Sequence, residues 1–200
     1  MSESQYFREH PDVESSPVEI DVSLPDVAFA LRTDTGVFSR GALDTGTRLL
    51  LAEAPAPPRQ GTLLDLGCGA GAIAITLALR SPDAVVWAVD VNERARSLTA
   101  FNASRAGASN LLVASPEEVP ESVRFDAIWS NPPIRIGKPA LHQLLTSWLA
   151  RLSDGGTAVL VVQKHLGADS LADWMRSNGW DVERIRSRAG YRLLVVSRPA

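Results

Sequence analysis

The chain has 200 residues, 45% hydrophobic and 22% charged, with a net charge of −3 and a single cysteine, Cys68. That balance suits one large domain, or a domain with an extension, that can bury a real core. It excludes an internal disulfide and a low-complexity chain, and argues against a general nucleic-acid coat protein. The opening MSESQYFREHPDVESS is polar and acidic, which is not the pattern of a signal peptide. No apolar run approaches the ~20 residues of a membrane helix. The lone cysteine fits a reducing, cytoplasmic setting. His10, His142 and His165 lie far apart in the sequence, so no metal site is expected.

In chain order, VEIDVSL and VAFALRTD flank Pro25-Asp26 and predict a hairpin near residues 18–33. ALDTGTRLLLAEA predicts a helix stopped by the APAPP cluster at residues 54–58. GTLLDLG is then a strand, and AGAIAITLALR a helix ended by Ser81-Pro82. AVVWAVD is a strand, and NERARSLTAFNASRAG a helix closed by Gly107. NLLVAS and FDAIWS are strands, and PALHQLLTSWLARL is a helix closed by Asp154-Gly155-Gly156. TAVLVVQ is a strand and LADWMRSNG a helix, while WDVERIRSR and YRLLVVSR close the chain as a strand pair around Ala189-Gly190. Apolar strands alternating with helices imply an α/β, doubly wound and mainly parallel sheet. The last two strands are joined too tightly to be parallel. The expected division is an N-terminal extension over residues 1–53, a hairpin and a helix, followed by one catalytic-type domain over residues 54–200.

Charge is uneven along the chain. Acids outnumber Arg8 and Arg32 between Met1 and Asp34, whereas six arginines from Arg176 onward face only Asp181 and Glu183. Solvated surface faces and an RNA-facing patch both account for this.

Asp65-Leu66-Gly67-Cys68-Gly69-Ala70-Gly71 lies between the first strand of the alternation and its helix. Glycines there permit positive φ and let a ligand approach the backbone. GCGAGA also satisfies the dinucleotide pattern G-x-G-x-x-G/A. Asp65 separates the alternatives, because a carboxylate there repels a pyrophosphate but attracts an amine. Asp90, at the end of AVVWAVD, has roughly the ~20-residue offset of a ribose-binding acid. An amine, a ribose and no phosphate describe S-adenosyl-L-methionine better than NAD.

With these motifs the chain resembles the class I S-adenosylmethionine-dependent methyltransferases from about Gly61 onward. The resemblance implies a Rossmann-like seven-stranded sheet, mostly parallel, with a C-terminal antiparallel hairpin. It implies that Asp65, Gly67, Cys68 and Gly69 contact the methionine portion, Asp90 the ribose hydroxyls and Val91 the adenine, with Ser115 beside it. Cys68 reads as a small packing residue rather than a nucleophile.

Asn131-Pro132-Pro133-Ile134 follows FDAIWS, where open α/β sheets place ligands. An amine conjugated to a π system is a poor nucleophile. The Asn131 side-chain oxygen and the Pro132 carbonyl can accept hydrogen bonds from its N–H groups and orient its lone pair. The fourth position of this motif is often aromatic in the family, and here it is Ile134. Phe38 is therefore the expected stacking partner for the target, and Trp129 a core residue.

GVFSRGALDTGTRLLL, NPPIRIGK, GYRLLVV and the opening Tyr6, Phe7 and Pro11 are similar to the small-domain ribosomal RNA small-subunit guanine-N2 methyltransferases, in the single-domain form. That resemblance places Phe38-Ser39-Arg40 and Asp44-Thr45-Gly46 at the mouth of the site, and Arg135 and Lys138 on phosphates. The implied partner is ribosomal RNA or the small ribosomal subunit. Methylation of a protein glutamine, methylation of a small molecule, and a non-catalytic RNA-binding or assembly role are the competing readings.

Overall fold

In the computed structural model, which describes residues 13–199, helices cover both faces of a seven-stranded sheet, and a two-stranded sheet precedes it in the chain. The Tyr6, Phe7 and Pro11 opening and His10 lie outside the described residues. β1 (Val18–Ser23) and β2 (Ala28–Thr33) form the hairpin, antiparallel from Val18 opposite Thr33 to Ser23 opposite Ala28. α1 (Thr45–Glu53) follows, ended by the proline cluster after Ala54.

The alternation is β3 (Gln60–Leu66), α2 (Ala72–Arg80), β4 (Asp83–Val89), α3 (Glu93–Ala106), β5 (Leu111–Ala114), β6 (Phe125–Ser130), α4 (Lys138–Leu149), β7 (Leu152–Gln163), α5 (Ala168–Ser177), β8 (Asp181–Arg188) and β9 (Tyr191–Ser197). The seven-stranded sheet has the order β5-β4-β3-β6-β7-β9-β8. The β3–β4, β3–β6, β4–β5 and β6–β7 pairs are parallel, and β9 is antiparallel to both β7 and β8. The expected Rossmann-like seven-stranded sheet, mostly parallel with a C-terminal antiparallel hairpin, is thus the observed fold.

Neighbouring residues on the central strands enter opposite cores, as period-two geometry requires. Leu63, Val86, Ala127, Trp129 and Val159 pack under α1, α2 and α3, whereas Leu64, Ile128, Leu160 and Leu194 pack under α4 and α5. Both faces are therefore dry, which explains why TAVLVVQ reads as a continuous apolar run. Truncating a fully buried leucine such as Leu64 to alanine costs about 2–5 kcal/mol.

Several boundaries differ from the sequence expectation, among them the starts of α1 at Thr45 and of α2 at Ala72. α4 stops at Leu149 rather than running to Leu152, and β7 already begins at Leu152, which pairs with Phe125. Asp154-Gly155-Gly156 is therefore an irregular start to a strand and not a helix stop. Gly156 is required there, since a Cβ would lie 2.7 Å from the Phe125 carbonyl oxygen. α5 starts three residues before Leu171, because Gly167 turns the chain at φ 99°.

From β3 the chain winds outward through β4 and β5, then crosses back to β6 on the other side of β3. The topological switch point lies between the carboxyl ends of β3 and β6, where Asp65 stands opposite Trp129. Both sequence motifs open at this point.

Candidate active site

The glycine loop is pinned from below. Gly67 and Cys68 donate to the Val89 carbonyl at 2.8 and 3.0 Å, tying the loop to the end of β4. Gly67 and Gly69 have φ of 80° and 56° and face open space, since a Cβ on either would meet nothing within 4 Å. That is the cradle a ligand backbone contact needs.

Asp65 lies beneath the loop with no solvent exposure. One carboxylate oxygen, Oδ2, accepts from the Ala74 N–H at 2.9 Å in the first turn of α2. The other, Oδ1, is buried without a hydrogen-bond partner. Burial pushes this carboxyl well above the usual range, and the charge of Asp90 adds to the effect. A buried acceptor without a donor is costly, and a cationic amine or a water beside one relieves the cost. The residues present therefore fit S-adenosylmethionine.

Asp90 accepts from the Gly69 N–H and the Asn92 N–H, both at 2.9 Å, through separate oxygens. Burial raises its pKa, against the pull of these two bonds. Each oxygen retains a lone pair for a hydroxyl. Val91 beyond it is 42% exposed and offers a flat apolar wall. Ser115 caps a short helical turn in a reciprocal arrangement with Glu118, whose carboxylate accepts from the Ser115 N–H at 2.7 Å. Cys68 is buried, with Sγ 3.5 Å from Thr99 Oγ1, and burial pushes its thiol pKa well up. It stays protonated and makes a poor nucleophile.

A cleft runs from the glycine loop past Phe38, Ser39, Asp44 and Thr47 to Asn131. Ser130 Oγ donates to the Leu66 carbonyl at 2.6 Å and joins the ends of β6 and β3 just before Asn131. Asn131 Nδ2 donates to Asp44 Oδ2 at 2.9 Å and to Thr47 Oγ1 at 3.0 Å. A carboxylate can only accept, so the amide nitrogen must face Asp44 and the amide oxygen must face away from it. Asp44 is also the N-cap of α1, accepting from the Thr47 N–H at 2.9 Å. Sequence reasoning placed Asp44 at the mouth without finding this role.

The rest of the motif behaves differently. The Pro132 carbonyl already accepts from the Ile134 N–H at 2.8 Å, leaving one lone pair for a ligand. Pro133 leads into a single helical turn, and Ile134 packs onto the α4–α5 core. Ile134 thus belongs to the wall supporting the turn, and Trp129 to the core. Phe38 is 46% exposed on the cleft, in a loop whose carbonyls at Thr35 and Gly36 accept from Arg94 and Asn92 of the α3 N-terminus. Arg40 is not directed at the cleft. It donates to the Ser16 carbonyl at 3.1 Å and to Ser16 Oγ at 2.7 Å. Arg135 and Lys138 are exposed beside the Asn131 turn.

The arginine-rich end is largely paired with acids. Arg186 and Arg188 share Glu53 of α1, and Arg184 and Arg192 share Asp169 of α5. Each cluster keeps one net positive charge.

The model of the methyltransferase small domain matches residues 28–195. The chain belongs to that family. As a methyltransferase small domain it is an S-adenosylmethionine-dependent methyltransferase. It is 33% identical over 201 residues to the uncharacterized protein YbxB of Bacillus subtilis (strain 168), covering 99% of this chain and all of that protein. It is 35% identical over 143 residues to ribosomal RNA small subunit methyltransferase C of Shewanella halifaxensis, covering 69% of this chain and 41% of that protein. The T. thermophilus 16S rRNA N2 methyltransferase RsmC, solved with AdoMet and guanosine, superposes with a TM-score of 0.75 at 24% identity. That superposition covers 94% of this chain and 52% of RsmC, so this methyltransferase small domain spans about half the length of the ribosomal RNA enzymes it matches. Among the described residues, no helix is long and apolar enough to cross a membrane.

Proposed function

We propose that the chain methylates the exocyclic N2 of a guanine in small-subunit ribosomal RNA. The observation that carries this reading is the orientation of the Asn131 amide, whose nitrogen is held by Asp44 and Thr47 while its oxygen is left to accept. Such an acceptor suits an N–H donor, and guanine N2 carries two. S-adenosylmethionine, when bound, supplies an electrophilic methyl on a sulfonium and leaves as a neutral thioether that keeps the S–C electron pair.

Asn131 Oδ1 takes one N–H of the amine and the free lone pair of Pro132 takes the other, turning the nitrogen lone pair toward the methyl. The prolines hold that turn rigid, with Ile134 anchoring it in the core. Once methylated the nitrogen is cationic and releases a proton to water, so no strong base is required. Asp65 holds the cofactor amine, Gly67, Cys68 and Gly69 line its methionine portion, and Asp90 takes the ribose hydroxyls. Val91 and Ser115 flank the adenine. Phe38 stacks on the guanine, Arg135 and Lys138 bind neighbouring phosphates, and Arg40 steadies the mouth through Ser16. A base inside structured RNA must first be unstacked to reach Asn131. The working site is the cytoplasm, where the small subunit is made.

The test is nucleoside mass spectrometry of ribosomal RNA from a deletion strain, paired with transfer of labelled methyl to naked RNA, intact subunits and protein extract. The expected result is loss of one N2-methylguanosine and label in RNA or subunits. Label confined to protein would overturn the reading in favour of glutamine methylation.

A further inference from the structure

A side chain that only accepts hydrogen bonds controls the group proposed to hold the substrate. Both hydrogens of Asn131 Nδ2 are spent, one on Asp44 Oδ2 at 2.9 Å and one on Thr47 Oγ1 at 3.0 Å. The amide therefore cannot flip without placing its oxygen against a carboxylate, a repulsion strengthened by partial burial. The carboxylate itself is braced, because Oδ2 also caps α1 through the Thr47 N–H at 2.9 Å. Close by, the Tyr191 ring lies on Gly46, where a Cβ would sit 2.7 Å from Tyr191 Cε1. Burial and the nearby charge of Asp44 keep the Tyr191 hydroxyl protonated.

We propose that Asp44 is a positioning residue for methyl transfer, locking the Asn131 amide with its oxygen toward the reacting amine and setting a negative charge behind that amide. The proposal rests on the reading of Asn131 as the amine acceptor. Two effects follow. The lock removes rotational freedom from the acceptor before substrate arrives. The carboxylate also polarises the amide, so Oδ1 becomes more negative while the substrate nitrogen gains positive charge. Thr47 shares the lock but brings no charge.

The experiment compares Asp44→Ser, Asp44→Asn and Thr47→Val with Asn131→Ala, using small subunits from the deletion strain as substrate. Serine and asparagine both cap helices, so α1 keeps its N-cap in the first two variants. Asp44→Ser loses the contact to Asn131, and kcat is expected to fall about 30- to 100-fold with KM little changed. Asp44→Asn keeps an acceptor without charge, and kcat is expected to fall about 5- to 20-fold. S-adenosylmethionine affinity by calorimetry stays within about threefold in both. In the wild-type protein without ligand, the Asn131 amide proton facing Asp44 is expected to be shifted downfield and slow to exchange by NMR, and in Asp44→Ser it is expected to move toward the free-amide position while its partner, still held by Thr47, moves less.

Full kcat in Asp44→Ser, or an unmoved Asn131 amide signal, overturns the proposal. So does a loss of cofactor affinity that matches the loss of kcat, which would make Asp44 a cofactor ligand instead. If Asn131→Ala stays active, it is the amine-acceptor reading that fails. If Asn131→Ala is inactive while Asp44→Ser is active, only the role of Asp44 falls. The NMR result stands whichever substrate is methylated.

Discussion

The buried side chain of Asn102 pairs with Arg32 as a neighbouring strand would, accepting from its N–H at 2.9 Å and donating to its carbonyl at 2.8 Å. The same amide donates to the Ala70 carbonyl at 2.8 Å, so one side chain on α3 binds the hairpin to the glycine loop. Asn102→Ala leaves three backbone groups without these partners. A destabilisation of about 2–4 kcal/mol is expected, a fall in melting temperature of roughly 5–15 °C. Hydrogen exchange at the Arg32 amide should accelerate more than exchange in β6. A variant that melts with the wild type would show that the hairpin is held by other contacts.

On the proposed reading, in which it holds the cofactor amine, Asp65 trades stability for ligand binding. Its folded pKa lies above its unfolded value because it is buried. The protonated form therefore contributes stability below the ordinary carboxylate range, and that contribution is lost as pH rises through the raised pKa. Binding a cationic amine requires the ionised form, so S-adenosylmethionine affinity should climb over the same interval. Asp65→Asn should flatten both profiles, raise the melting temperature of the ligand-free protein by a few degrees, about 2–4 °C per kcal/mol, and weaken the cofactor at least about tenfold. Parallel pH series of calorimetry and thermal melting measure this. An unchanged affinity profile would remove Asp65 from the cofactor site.

Phe38 is exposed on a loop that is anchored at its base, which suits a stacking platform. Replacing it with alanine should raise KM for RNA by about 5- to 100-fold, the range of one base–aromatic stack. Cofactor affinity should not change, and Phe38→Tyr should restore binding. Equal loss of cofactor and RNA binding would point to a collapsed loop instead.

Arg135 and Lys138 flank the Asn131 turn on the exposed side. If they bind phosphates, the double alanine variant should bind RNA more weakly at every sequence. Its dependence of log affinity on log salt should become shallower by about 1–2. A parallel line of unchanged slope would exclude phosphate contact.

The sheet and its helices were legible because apolar runs alternate with helical spacing and the turns carry glycine or proline. DLGCGAG, Asp90 and NPP could be placed for the same reason, since each sits at a strand end. The lock on Asn131 could not be read, because Asp44 lies 87 residues away and nothing local marks the pair. Ser115 and Arg40 show the reverse limit. Their residue types suit a ligand, yet a local cap and a bond to Ser16 already engage them. The end of α4 was misplaced because LSDGG has the composition of a turn, while its fate is set by pairing with β6.

The two margins of the sheet are also built unlike one another. β5 is four residues long, too short to recruit a further strand with many bonds. β8 has eight residues, of which Asp181, Glu183, Arg184, Arg186 and Arg188 are charged and exposed. A second molecule approaching edge-on would have to bury those charges and break the links from Arg184 to Asp169 and from Arg186 and Arg188 to Glu53. The same arginines that give the chain its basic end thus act as gatekeepers against edge-to-edge aggregation, and neutralising them should cost solubility before it costs folding.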